Sequence, residues 1–201
     1  MMMSKYDNPE QICRALSIFI LEVLEQSAAI RAYSNVFQQN KSDNIFLQRA
    51  HDSIWRELIS ELARIFDKSN TKAKLVSDDN CSLLKLKDLC LKEEYLPLFP
   101  GGETNNLVQS LDAVIQQYSA LPIKKSRNKQ LSHHDMKQLF AGKCVEISLD
   151  DIEILIADTS EVFTKIYNCY LFGWVEFSFP SYNVLVTKFE ESLQTIVNQK
   201  Y

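Results

Sequence analysis

Glycine and proline are scarce in this chain, with four and five among 201 residues, roughly a third of what an average usage of about 12% would supply. So few turn-makers exclude a many-stranded sandwich or barrel. Gly101, Gly102, Gly142 and Gly173 cannot be arranged into a dinucleotide fingerprint or a Walker-type phosphate loop, which excludes Rossmann and P-loop chemistry. Cysteine is present in an odd number, five, without a C-x-x-C pair, and so builds neither a disulfide framework nor a zinc knuckle. Reduced thiols in a cytoplasm are expected, with no metal and no cofactor. A long hydrophobic run is also missing: the apolar stretch Ala15 to Leu24 is interrupted by Glu22 and is too short to span a bilayer, so no membrane partner is expected. Charge of either sign is nearly balanced, 22 basic against 26 acidic residues for a net −4, which gives no general attraction to nucleic acid. Any polyanion site has to be local.

What the chain does contain is apolar material at helical spacing. With 46% hydrophobic and 10% aromatic residues it can bury a sizeable core. The expectation is a single all-α domain over residues 1–201, a helical bundle of about five to seven helices. A first helix over about 9–33, capped by Asn8 and started by Pro9, carries Ile12, Leu16, Phe19, Ile20, Val23 and Ile30 on one buried face. The second carries two adjoining stripes, Leu47, Ala50, Ile54, Leu58, Leu62 and Ile65 beside Trp55, Ile59, Ala63 and Phe66, which reads as the central helix of the bundle. Short helices follow over Ser82 to Leu91 and from Thr104, the latter with Leu107, Leu111, Val114, Ile115 and Tyr118 at helical spacing until Pro122. Ser148 and Asp151 open a long segment that reaches Tyr170, and a last helix over about 181–199 carries Leu185, Phe189, Leu193 and Ile196. At the end of the second helix Arg64 and Asp67 stand three residues apart, a spacing at which they can pair.

One segment departs from the rest. Lys124 to Asp135 reads KKSRNKQLSHHD, with Lys124, Lys125, Arg127 and Lys129 placing four cations within six residues, and with His133 and His134 close behind. As a basic stretch it reads as an exposed loop. Arginine offers a permanent, bidentate charge for a phosphate, and histidine titrates near neutrality and can move a proton. The combination suits phosphodiester cleavage without a metal. Arginine neutralises charge developing on the phosphoryl oxygens, and histidine serves as general base on a ribose 2′-hydroxyl or as general acid on the leaving oxygen.

The run Arg127-Asn128-Lys129-Gln130-Leu131-Ser132-His133-His134-Asp135 resembles the signature of the HEPN (higher eukaryotes and prokaryotes nucleotide-binding) superfamily, and within it the AbiU-type abortive-infection branch. That signature is an arginine, usually followed by a polar residue, then a histidine after four to six intervening residues. Residues 128 to 132 intervene if His133 is the match, and His134 also meets the loosest spacing. Ser132 and Asp135 supply the small residue and the aspartate that the branch places around its histidine. The stretch from Trp55 to Leu86, where SELARIFDKSNT leads to CSLLKL, is similar to the branch's helix ending in leucine, arginine and aspartate and the short helix after it. The two regions span about residues 45 to 170.

The resemblance implies an all-α fold and, in many members, a metal-independent endoribonuclease used in phage defence or a toxin–antitoxin system. It implies Arg127 and His133 as the catalytic pair, Asn128 as the polar neighbour that orients phosphate or histidine, and His134 as a possible second histidine. Lys124, Lys125 and Lys129 would bind RNA backbone. The pairs of two subunits would face each other across a homodimer interface, and an antitoxin or regulatory protein is an implied partner. Two other readings compete. The basic segment could bind RNA, a nucleotide or a protein without cleaving anything, with the aromatic stretch Phe172 to Phe179 at an interface. Alternatively His51, the His134–Asp135 pair and Asp151 or Asp158 could hold the metal of an HD-type phosphohydrolase. In the plain structural reading, Ser132 and Asp135 form a capping box for a short helix that ends at Gly142, and His51 is a partly buried helix residue.

Overall fold

The computed structural model describes residues 9–37, 44–67, 81–92, 103–131, 147–170 and 176–198, with the backbone alone over 128–131. Seven helices occur there and no strand: α1 (Pro9–Phe37), α2 (Ile45–Phe66), α3 (Leu83–Cys90), α4 (Glu103–Ala120), α5 (Ile123–Leu131), α6 (Leu149–Tyr170) and α7 (Tyr182–Asn198). None among the described residues is long and apolar enough to cross a membrane. The helix starts follow capping chemistry. The Asn44 side chain accepts from the amides of Phe46 and Leu47, and the Ser82 hydroxyl accepts from the Lys85 amide. Pro122 stands immediately before α5, where its missing N–H costs nothing, and its carbonyl accepts from the Ser126 amide at 2.9 Å. Asn8 lies outside the described residues.

The helix at the centre is α1, not α2. It packs against α2, α3, α6 and α7. Its buried residues run from Ile12 and Ile30 through Leu16, Ile20, Cys13 and Leu24 to Ala28 and Ala32, which at 100° per residue is an arc of about half the helix. A single apolar face would have served one neighbour. The small side chains Ser27, Ala28 and Ala32, all buried, add close-approach surface that a search for large apolar residues passes over. In α2, burial is concentrated between Leu58 and Phe66. Its first half buries only Leu47 and leaves Arg49, Asp52, Ser53, Arg56 and Glu57 exposed, so it cannot be the bundle's axis.

One contiguous core draws on all seven helices, with Ile123 representing α5 and Leu185 representing α7. Asn168 ties down the segment after α6, donating to the Phe177 carbonyl at 3.1 Å and accepting from the Phe177 amide at 2.9 Å. Phe177 and Phe179 then pack with Phe163 and Tyr167, at centroid separations of 4.2 Å for Tyr167–Phe177 and 4.9 Å for an edge-on Phe177–Phe179. For these two aromatics the role is core rather than contact surface. Residues 172–175 of the same stretch lie outside the described residues.

The last helix is held differently. Of its apolar stripe only Leu185 is buried, while Ile196 is 45% exposed. Polar ties make up the difference. The Arg31 guanidinium donates to both carboxylate oxygens of Glu153 at 2.7 Å and also contacts Asp150. The Tyr182 hydroxyl donates to Glu153 at 2.6 Å and lies 3.1 Å from the Ser27 hydroxyl, and Asn35 donates to Glu190 at 2.7 Å. Glu153 therefore serves α1, α6 and α7 at once. Glu153→Ala is expected to lower the unfolding free energy by about 2 kcal/mol, the scale for hydrogen bonds to a charged group. Urea denaturation checks this, and a loss below about 0.5 kcal/mol, the size of a screened surface pair, contradicts the role.

Candidate active site

The basic segment begins as a helix rather than a loop. Ile123 and Ser126 are buried and anchor α5 against α2, while Lys124 and Lys125 are exposed. The first turn of α5 holds no acidic residue, so two lysines stand at the positive end of the helix dipole without a carboxylate beside them on that turn. Such an end favours an anion.

Arg127 lies one residue beyond Ser126 and is half-buried. Its guanidinium donates to the Asp67 carboxylate at 2.7 Å, with side-chain exposures of 26% and 29%. Asp67 is the residue that caps the C-terminus of α2. Its backbone leaves the helical region (φ −68°, ψ 146°), which turns its side chain away from its own helix and toward α5. The expected pairing of Arg64 with Asp67 is therefore not made. Arg64 instead reaches Glu61 at 3.5 Å and lies 4.0 Å above the Phe19 ring. The Arg127 cation also sits near the carbonyl end of α2, where the dipole favours positive charge.

Tyr118 completes the site from α4. Its ring stacks on Phe66 at 4.3 Å with the planes 7° apart, and the Lys124 ammonium stands 5.6 Å from the ring centroid. The side chain is buried, and its hydroxyl has no hydrogen-bond partner among the described residues. Burial pushes this hydroxyl up to about 12; the Asp67 carboxylate adds to the shift and the Arg127 cation opposes it.

The structure brings together Arg127, Lys124, Asp67, which the sequence offered as a partner of Arg64, and Tyr118, which it placed only among the apolar positions of α4. Lys125 is exposed on the same helix. Asn128 and Lys129 continue α5 as backbone. Asn128 is thus inside a helix. His133, His134 and the proposed Ser132–Asp135 box lie outside the described residues. His51 sits on α2 with its ring 4.5 Å from Tyr33, a partly buried helix residue. Asp151 and Asp158 are exposed on α6, and no cluster of three or more metal-ligating side chains occurs among the described residues. Cys13, Cys81, Cys90 and Cys169 are free thiols, and burial raises Cys90 to about 11. A groove of about 600 Å³ opens elsewhere, lined by Leu24, Ile156, Ala157, Phe179 and Pro180 and by none of the predicted site residues.

An unfolded phenol ionises near 10 and Tyr118 near 12, so the unfolded chain sheds its proton first and stability falls as pH rises from about 10 to 12. Tyr182 is raised as well and contributes to the same decline. Tyr118→Phe is expected to make the loss of stability over that window shallower, measured by urea unfolding at a series of pH values. An unchanged slope would mean that the hydroxyl ionises alike in both states.

A family model described as AbiU2, of the HEPN type, matches residues 10–191. No curated protein and no solved structure matches the chain. The match runs from the first turn of α1 into α7 and takes in α5 with Arg127, as well as the segment that carries His133 and His134. On this match over nearly its whole length, together with its all-helical architecture, the chain belongs to the AbiU2 family of HEPN domains.

Proposed function

We propose that the protein is a metal-independent endoribonuclease of the HEPN type, acting in phage defence or a toxin–antitoxin setting. The observation that carries this reading is Arg127, the first residue of the arginine–histidine pattern, half-buried on a helix whose exposed Lys124 and Lys125 face solvent, in a chain of the HEPN class. A half-buried guanidinium binds a phosphate more strongly than a fully hydrated one, and its fork matches two phosphoryl oxygens. In the proposed reaction His133 takes the proton of a ribose 2′-hydroxyl and the oxygen attacks the adjacent phosphorus. The bond to the 5′-oxygen breaks, and that oxygen receives a proton from His134 or solvent. The products are a 2′,3′-cyclic phosphate and a 5′-hydroxyl end. Arg127 neutralises the charge that develops on the phosphoryl oxygens, Asn128 orients the phosphate or the histidine, and Lys124, Lys125 and Lys129 hold the RNA backbone. The acting form is a homodimer with the two pairs facing one cleft, restrained by an antitoxin or regulatory protein.

A second reading is favoured by one observation. Arg127 is already engaged by Asp67, as in an ion pair that only fastens α5 to α2. In that case the domain binds RNA or a protein without cleaving it.

Total RNA incubated with purified protein in excess EDTA separates the two. Wild type is expected to cleave, and Arg127→Ala and His133→Ala to lose at least about a hundredfold in rate, the usual contribution of a positioned acid–base group or charge stabiliser. Both variants should retain wild-type helicity and sedimentation. DNA of the same sequence, lacking the 2′-hydroxyl, should remain intact. Cleavage that requires a divalent cation, or that survives His133→Ala, contradicts the proposal. Retained binding without cleavage in wild type supports the second reading. Binding should also weaken steeply with salt, and Lys124→Ala should lower the slope of log affinity against log salt by about 0.7, the single-strand value per phosphate contact.

A further inference from the structure

If Arg127 hands its Nη1 contact from Asp67 to a phosphate, the carboxylate it leaves is only 29% exposed. A bare, half-buried carboxylate opposes that release. What stands beside it decides how strongly. Phe66, the residue immediately before Asp67, is stacked face to face with Tyr118 at 4.3 Å. The Lys124 ammonium stands 5.6 Å from the centroid of the same ring. Stack and burial hold the ring, and with it the hydroxyl, at the end of α2. There it is buried and without a hydrogen-bond partner among the described residues, a state that native structures rarely leave unexplained. Asp67 and Arg127 are the two charges that act on it.

We propose that Tyr118 is a positioning residue whose hydroxyl donates to the Asp67 carboxylate when Arg127 moves from Asp67 to a phosphate oxygen of RNA. The exchange is neutral in protons: Arg127 keeps its charge, Asp67 stays ionised and Tyr118 keeps its hydrogen. The hydroxyl is idle while the site is empty and satisfied when it is full, so a stabilising contact appears only with the anion bound. This inference rests on the reading of Arg127 as a phosphate-binding group.

Tyr118→Phe removes the oxygen and keeps the ring and its stack. In the otherwise unchanged chain it should leave the folding equilibrium constant equal or raised, because it deletes a buried hydroxyl that has no partner among the described residues. In an Arg127→Met background, where Asp67 has lost its cation and the hydroxyl takes its place, the same substitution should lower that constant by about tenfold. Arg127→Gln serves if Arg127→Met does not fold. Equal effects in the two backgrounds overturn the proposal.

The second arm uses 2′-O-methyl single-stranded RNA, which binds but cannot be cut. Tyr118→Phe should weaken its binding about three- to tenfold, and on cleavable RNA should raise KM with kcat nearly unchanged. In an Asp67→Asn background, where no carboxylate is left bare, the effect should vanish. Wild-type binding by Tyr118→Phe, or an undiminished effect in Asp67→Asn, overturns the proposal even if the stability cycle is coupled. Arg127→Ala is the control for the underlying reading. If it binds RNA as wild type does, that reading fails and takes this one with it; if it loses binding and Tyr118→Phe does not, only the hand-over fails.

Discussion

A helix that buries residues over half its circumference has to be surrounded, and α1 is such a helix for twenty-nine residues. The rest of the bundle is arranged around that requirement. α2 and α3 cover one part of it, and α6 and α7 cover the other, so the order of layers follows from how much apolar surface α1 carries. Where the covering helix buries a single residue fully, as α7 does with Leu185, hydrogen bonds and charges add to the packing of Tyr182, Val186 and Phe189 on the core. The Glu153 carboxylate collects Arg31 and Tyr182 from two different helices, and neither donor is left without its acceptor.

The candidate site lies on the side of α2 that carries α5, and it depends on the end of one helix more than on the middle of any. Phe66 is the last residue of α2 and faces the core, where it sets Tyr118 by stacking. Asp67 follows with extended backbone and therefore faces a different direction. Two successive residues thus pin a tyrosine and an arginine that are nine positions apart and lie on separate helices. The result is an arginine held in place without being fully buried, flanked by lysines with no acidic residue in their turn. The Asp67–Arg127 pair is half-buried, neither fully hydrated nor sealed in the core.

Much of this was legible in the residues. Scarce glycine and proline with apolar residues at helical spacing gave an all-helical bundle. Ser82 and Ser148, read as helix starts, stand immediately before α3 and α6. The arginine–histidine pattern pointed to the segment that the AbiU2 family match also covers. Other features were misread for identifiable reasons. Two stripes on α2 suggested the axis of the bundle, but α1 took that place through small residues such as Ala28 and Ala32, which carry almost no hydropathy signal. Lysine and arginine suggested a loop over 124–135, whereas residues 123–131 form a helix that starts after a proline and buries Ile123 and Ser126.

The sequence by itself determined most of the helical segments and which side chains carry a charge that suits a phosphate, because both depend on contacts within four residues or on side-chain chemistry alone. Only the tertiary structure decided what those side chains meet. Asp67 and Arg127 are sixty residues apart, and their pairing follows from the packing of α2 on α5 and from the backbone turn at Asp67. Tyr118 reads in sequence as one more apolar position of α4. The fold buries its hydroxyl where two charges act on it, and a pattern of period 3.6 carries no information about a contact between helices.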